Sequence, residues 1–129
     1  MKIHEYQAKV LFTRYGIPVP YGEVASTPEE TFQIAQRIGG RCVVKAQVHA
    51  GGRGKGGGIK LVQSAEEARQ AAAWLLGQKL ITLQTGPDGI PVRHLLVEQP
   101  AAIDKELYLG IAVERTFKTP VMIASSAGG

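Results

Sequence analysis

The stretch from Val43 to Ile59, VVKAQVHAGGRGKGGGI, constrains this chain more than any other. An apolar run carries a single lysine, Lys45, into a loop made mostly of glycine that holds two further cations, Arg53 and Lys55. Glycine lacks a Cβ, so its backbone adopts left-handed conformations and approaches a ligand closely. Successive N–H groups in such a loop form a concavity for anions. The flanking runs, Cys42-Val43-Val44 and Ile59-Lys60-Leu61-Val62, have strand character. This predicts a loop held within a sheet, and a phosphate-bearing ligand is the first expectation. A merely flexible connection is one alternative. A disordered arginine–glycine segment that binds RNA through its phosphates is another.

Two familiar phosphate motifs do not fit. A P-loop requires G-x-x-x-x-G-K-[ST] before a helix, but Lys55 is followed by Gly56 and then by a strand-like run. No helix N-terminus is therefore available to the phosphates at the loop, and the dinucleotide fingerprint fails for the same reason. What remains is a β-hairpin whose glycine-rich tip covers a ligand from above.

The chain has 129 residues, 44% of them hydrophobic and 20% charged, which suits one globular domain. A net charge of +4 accommodates a small anion as readily as a nucleic acid. Aromatic residues make up only 6% of the chain and do not interleave with basic ones, so nucleic acid is not the expected partner. The lone cysteine, Cys42, excludes an internal disulfide and reads as a core residue. No apolar run is long enough to span a membrane, and MKIHEYQAK lacks a signal peptide's apolar region. A soluble, reducing setting is expected: the cytoplasm of a bacterium or archaeon, or the mitochondrial matrix for a mature eukaryotic form. His4, His49 and His94 are not at zinc-binding spacing; His49 is expected to fix the base of the loop by a hydrogen bond.

Along the chain, His4 to Tyr15 reads as a helix stopped by Gly16. Tyr21 to Ala25 reads as a strand. Thr27-Pro28-Glu29-Glu30 and Ser64-Ala65-Glu66-Glu67 are capping boxes that open two helices, the first ending at Gly39-Gly40 and the second at Gly77. Lys79 to Leu83, Leu95 to Glu98, Glu106 to Glu114 and Val121 to Ser125 read as strands, with turns at Pro87-Asp88-Gly89 and Thr116-Phe117-Lys118. The fold class is α+β, with helices on an antiparallel or mixed sheet. The closing hairpin has no helix to cover it, as expected of a chain cut within a domain.

Three stretches together, HEYQAK (His4–Lys9), VVKAQVHAGGRGKGGGIK (Val43–Lys60) and KELYLG (Lys105–Gly110), resemble the β subunits of succinyl-CoA synthetase (succinate–CoA ligase), which are ATP-grasp enzymes. The resemblance runs from Met1 to Gly129. It implies that residues 21–101 form the smaller ATP-grasp lobe, while residues 1–20 and 102–129 belong to the larger one. It further implies a reaction that joins succinate to CoA with ATP, giving succinyl-CoA, ADP and phosphate through a phosphohistidine on a partner α subunit. A ligase of the same family acting on malate or another dicarboxylate would look alike over this segment, and a stand-alone, non-catalytic nucleotide- or RNA-binding module is the alternative of a different class.

Position by position, the resemblance assigns Lys45 to the nucleotide phosphates and Gly52, Arg53 and Gly54 to the flap above them. It assigns Glu98 to the ribose or adenine amine at the hinge, and Glu106 to the ribose side. The backbone around Ala101 would read the base edge. Relatives can carry a polar residue at Ala101, so a contact there would be through main chain alone. Pro20 and the segment after Glu98 resemble the adenine-using branch. No residue matches the phosphorylated histidine, and the Mg²⁺ ligands are expected beyond residue 129. The 129 residues alone are expected to bind nucleotide weakly and not to catalyse.

Overall fold

The computed structural model describes residues 2–128, so Met1 and Gly129, the two ends of the resemblance, lie outside the described residues. In chain order the elements are α1 (Glu5–Arg14), β1 (Gly22–Ala25), α2 (Pro28–Ile38), β2 (Cys42–Ala46), β3 (Ile59–Val62), α3 (Ala65–Leu76), β4 (Lys79–Leu80), β5 (Ile90–Pro91), β6 (Leu95–Glu98), β7 (Tyr108–Glu114) and β8 (Thr119–Ser125). Among the described residues no helix is long and apolar enough to cross a membrane.

Four strands form one antiparallel sheet in the order β1-β6-β2-β3. Strand residues alternate between faces, and the register sorts them cleanly. Ala25, Cys42, Val44, Ala46, Leu95, Val97 and Val62 are buried against α2 and α3, which contribute Ile34, Ala35, Ala68, Ala72 and Leu75. Fully buried side chains such as Leu75 and Leu95 each contribute about 1.5–3 kcal/mol. Gly22 and Val24, Leu96 and Glu98, Val43 and Lys45, and Ile59 and Leu61 alternate onto the opposite face, where Val24 and Leu61 remain exposed. One face is thus a core and the other is left open.

Both expected helix starts form, with a difference in detail. Thr27 and Ser64 accept from the N–H groups of Glu30 and Glu67, each at 3.1 Å. The two glutamates reach back one residue further than a capping box requires, to the N–H groups of Ser26 at 2.7 Å and Gln63 at 2.9 Å. Gly39 caps α2 in the left-handed conformation. Helix α1 forms between His4 and Tyr15, but none of its residues is buried, and Leu11 and Phe12 are about half-exposed.

The strand expected over Lys79–Leu83 is shorter. Only Lys79 and Leu80 pair, with Pro91 and Ile90, because Thr82 to Thr85 closes a turn in which the Thr82 N–H donates to the Thr85 hydroxyl at 2.8 Å. The β7–β8 hairpin spans Tyr108↔Ser125 to Glu114↔Thr119, and its apolar side chains, Ile111, Val113 and Met122 among them, are exposed.

Gly22 lies opposite Glu98. A Cβ at Gly22 would sit 2.6 Å from the Glu98 Cβ and 2.9 Å from the Val97 carbonyl oxygen. Gly22→Ala is therefore expected to cost about 1–3 kcal/mol, read as a lower urea midpoint at unchanged slope; an unchanged midpoint would show that β1 yields without penalty.

Candidate functional site

The open face carries a chain of alternating charges. Lys45 and Glu98 project from neighbouring strands onto this face, because Lys45 pairs with Leu96 and Val43 with Glu98. The Glu98 side chain is only 3% exposed, and an unpaired charge there would be costly. Two ammonium groups neutralise it: Lys45 holds one carboxylate oxygen, and Lys9 of α1 the other.

Glu5, one helical turn before Lys9, extends the chain. Its Oε1 lies 3.2 Å from both the Lys45 and Lys9 ammonium nitrogens. Its Oε2 accepts from Arg53 Nη2 at 2.7 Å, while Arg53 Nη1 donates to the Ala46 carbonyl at 2.8 Å. Buried Gln47 braces the assembly by accepting from the Tyr6 N–H at 3.2 Å and donating to the Lys45 carbonyl at 3.2 Å.

These contacts set the protonation states. Burial pushes the Glu5 carboxyl up, but Lys45, Arg53 and Lys9 together outweigh it and hold the group at about 2. Burial likewise favours a neutral Lys45, yet Glu98 and Glu5 keep it above the usual lysine value. Two carboxylates against three cations leave one net positive charge.

The glycine loop is tied down at both ends. The Ala46 N–H donates to the Gly58 carbonyl at 2.7 Å, the Gly58 N–H to the Arg53 carbonyl at 2.8 Å, and the Gly51 N–H to Gln84 Oε1 at 2.7 Å. A Cβ at Gly56 would stand 2.7 Å from the Ile81 carbonyl oxygen, so this glycine lets the loop lie on the segment after β4. Gly52 has φ +74°, a left-handed conformation. The N–H groups of Gly52, Arg53, Gly54 and Lys55 meet no acceptor among the described residues. This is an ordered concavity of free donors, unlike an extended arginine–glycine tail.

His49 fixes the base of the loop by stacking, in place of the expected hydrogen bond: its ring lies 3.9 Å from that of His4, at 14°. His4 Nδ1 is buried without a partner. Burial first, then His49, His94 and Arg53, lower the His4 pKa. Cys42 is a core residue whose thiol burial pushes up to about 11. Among the described residues no group of three His, Cys, Asp or Glu side chains is placed to hold a metal ion.

Two clefts flank the charge chain. One of about 920 Å³ is lined by the loop, Glu5, His49, Gln84 and Glu106. The other, about 360 Å³, lies between α1 and β1–β6 and is lined by Tyr6, Lys9, Pro20, Tyr21 and Glu98. Of the residues singled out from sequence, Lys45 and Glu98 meet directly, Gly52, Arg53 and Gly54 share the loop, and Glu106 faces it across the larger cleft. Ala101 is exposed after β6 and lines neither cleft. Glu5 and Lys9 were not singled out. Their i,i+4 spacing signals only a helix-surface ion pair, and their partners lie 40 to 89 residues away.

The chain belongs to the ATP-grasp domain family, whose pattern it matches over residues 2–129. It is 56% identical over 133 aligned positions to the β subunit of the ADP-forming succinate–CoA ligase of Acidobacterium capsulatum, and 54% identical over 130 to that of Klebsiella pneumoniae. Each alignment takes in 100% of this chain and 34% of the relative, so the chain spans about a third of their length.

Among solved structures it is similar to a dinucleotide-forming acetyl-coenzyme A synthetase of Ca. Korarchaeum cryptofilum, in complex with coenzyme A and Ca-AMPCP. The TM-score is 0.77 at 25% identity, covering 96% of this chain and 53% of that one. A Pyrococcus horikoshii protein shares the fold, with a TM-score of 0.76 at 21% identity over 98% of this chain and 52% of its own.

The lowered Glu5 value makes a pH prediction. A carboxylate with a depressed native pKa contributes stability above its unfolded value, near 4.5, and loses it as pH falls toward about 2. Allowing for screening by water, the contribution is about 2 kcal/mol. Urea unfolding from pH 6 to pH 2 should show Glu5→Gln less stable at neutral pH, with a flatter acid limb. Parallel curves for the two proteins would remove Glu5 as the source.

Proposed function

We propose that these residues form the nucleotide-binding part of a succinate–CoA ligase β subunit. The full enzyme would join succinate and CoA at the expense of ATP, releasing ADP and phosphate, with a phosphohistidine supplied by an α subunit. The observation that carries this reading is that Glu5 joins the largely shielded Lys45 to Arg53 of the glycine loop, where the N–H groups of Gly52 to Lys55 have no acceptor among the described residues. The identity to ADP-forming succinate–CoA ligase β subunits supports the acid and the nucleotide. The Korarchaeum relative, described with coenzyme A and AMPCP, an adenine nucleotide analogue, supports the ligand class.

In this reading Lys45 neutralises the phosphates, and Gly52, Arg53 and Gly54 cover them with backbone donors. Fixed donors of this kind stabilise a charge-rich transferring group without reorganising. Glu98 gives one oxygen to each lysine, and a carboxylate has about four acceptor sites, so it can still accept from ribose hydroxyls or the adenine amine. Glu106 approaches from the ribose side, and the main chain around Ala101 reads the base. Mg²⁺ would neutralise the phosphates further, on ligands outside these residues. A cytoplasmic setting accords with the bacterial relatives.

Lys45→Ala tests the assignment. Removing a charge-assisted contact to phosphate is expected to weaken ADP binding about 30- to 100-fold, measured by calorimetry, while the far-ultraviolet circular dichroism stays unchanged. ADP affinity retained in the variant would sink the role given to Lys45.

A further inference from the structure

Glu5 meets all three cations of this site, two of which, Lys9 and Lys45, also hold Glu98. Its two oxygens touch Lys9, Lys45 and Arg53, and it lines the same cleft as the glycine loop. That cleft presents the loop N–H groups, which meet no acceptor among the described residues, and Arg53, which is engaged by Glu5, while Lys45 is reached only past Glu5. Carboxylate and phosphate oxygens use the same geometry toward a guanidinium fork and an ammonium group. We propose that Glu5 is an internal anion standing in the phosphate position, and that a nucleotide binds by exchanging its phosphates for the Glu5 carboxylate on Lys45 and Arg53. The inference rests on the nucleotide reading above and adds to it a residue that sets the affinity of the site.

The exchange has a definite sign. Without a ligand, Glu5 offsets the mutual repulsion of three cations gathered on one face. With a polyanion bound, the same charge opposes the ligand. Neutralising Glu5 therefore destabilises the free protein and favours the complex, both of which tighten binding. A residue that merely held Arg53 and Lys45 in place would give the opposite sign, since its loss would loosen the cations and weaken binding. Adenosine, which has no phosphate, should be indifferent to the change in either case.

The experiment is calorimetric titration of the protein and its Glu5→Gln variant with ADP and with adenosine, alongside thermal melts with and without ADP. The expected result is ADP affinity about tenfold higher in the variant, the scale of one screened unit charge several ångströms away. Adenosine affinity should be unchanged, and ADP should raise the melting temperature of the variant by more than that of the parent. Equal or weaker ADP binding in the variant overturns the proposal and leaves the nucleotide reading standing. No ADP binding by either protein overturns both. Glu5→Asp, which keeps the charge but withdraws it from Arg53 by one methylene, is expected to tighten ADP binding by a smaller factor. It carries the same test if Glu5→Gln does not fold, and unchanged or weaker ADP binding by it then overturns the proposal.

Discussion

The open face depends on the compensation of one buried charge. Glu98 ends a strand that is buried along its whole length, and its carboxylate is stable there only because Lys45 and Lys9 each take an oxygen. That requirement reaches into the backbone. The sheet register must place Lys45 and Glu98 on the same face, and Gly22 must lack a side chain so that β1 can pass over the Glu98 Cβ. It also fixes α1. A helix with no buried residue gains little from apolar burial, so its place is defined by Lys9 on Glu98, Glu5 on Lys45 and Arg53, and Tyr6 on Gln47. Removing one member of such a network exposes the others to an unpaired charge, which is why the five ionised side chains act as one unit.

The two faces of the sheet divide the work. The helix-covered face supplies stability through Val44, Leu95, Val97, Ile34, Ala68, Ala72 and Leu75, and it needs nothing from the other side. The open face is released from core duty and carries charged and half-exposed apolar residues together. The glycine loop at its edge lies close to Leu80 and Ile81 because Gly56 and Gly58 have no Cβ to meet them. It is an ordered element with a row of free donors. Order matters to binding, because donors that are already placed lose less freedom when an anion arrives.

Most of the scaffold was legible because local chemistry and final structure agree. Thr27, Pro28 and Ser64 mark helix starts by hydrogen-bond geometry that any tertiary context preserves, and alternation in β2 and β6 marks the buried face. The glycine loop and Lys45 stand out because glycine in such density and a lone cation in an apolar run both demand a reason. What was not legible is non-local. The Lys79–Leu83 run has strand residues, but the Thr82–Thr85 turn competes for its donors. Leu11 and Phe12 have helical spacing, yet α1 is held by charge and leaves them half-exposed. Glu5 and Lys9 look like an ordinary surface pair within α1, and only the meeting of α1 with β2, β6 and the loop turns them into part of the site.

The ionic network also decides which variables the site responds to. Glu5, held at about 2, and Lys45, held above the usual lysine value, keep their charges throughout the neutral range. His4, beside the loop, has its pKa lowered by burial and by the charge of Arg53 and the neighbouring imidazoles. The loop contributes backbone N–H groups, which do not titrate. The charges of Glu5 and Lys45 are therefore constant through the neutral range, and in the proposed nucleotide reading a net positive charge and fixed donors would favour an anion. Salt acts on the same arrangement only weakly, because Glu98 is buried and its lysine partners are largely shielded. In the exchange proposed for Glu5, a polyanionic ligand would offer Lys45 and Arg53 more negative charge than a single carboxylate. Glu5 and Glu98 thus let the fold hold Lys9, Lys45 and Arg53 together on one face.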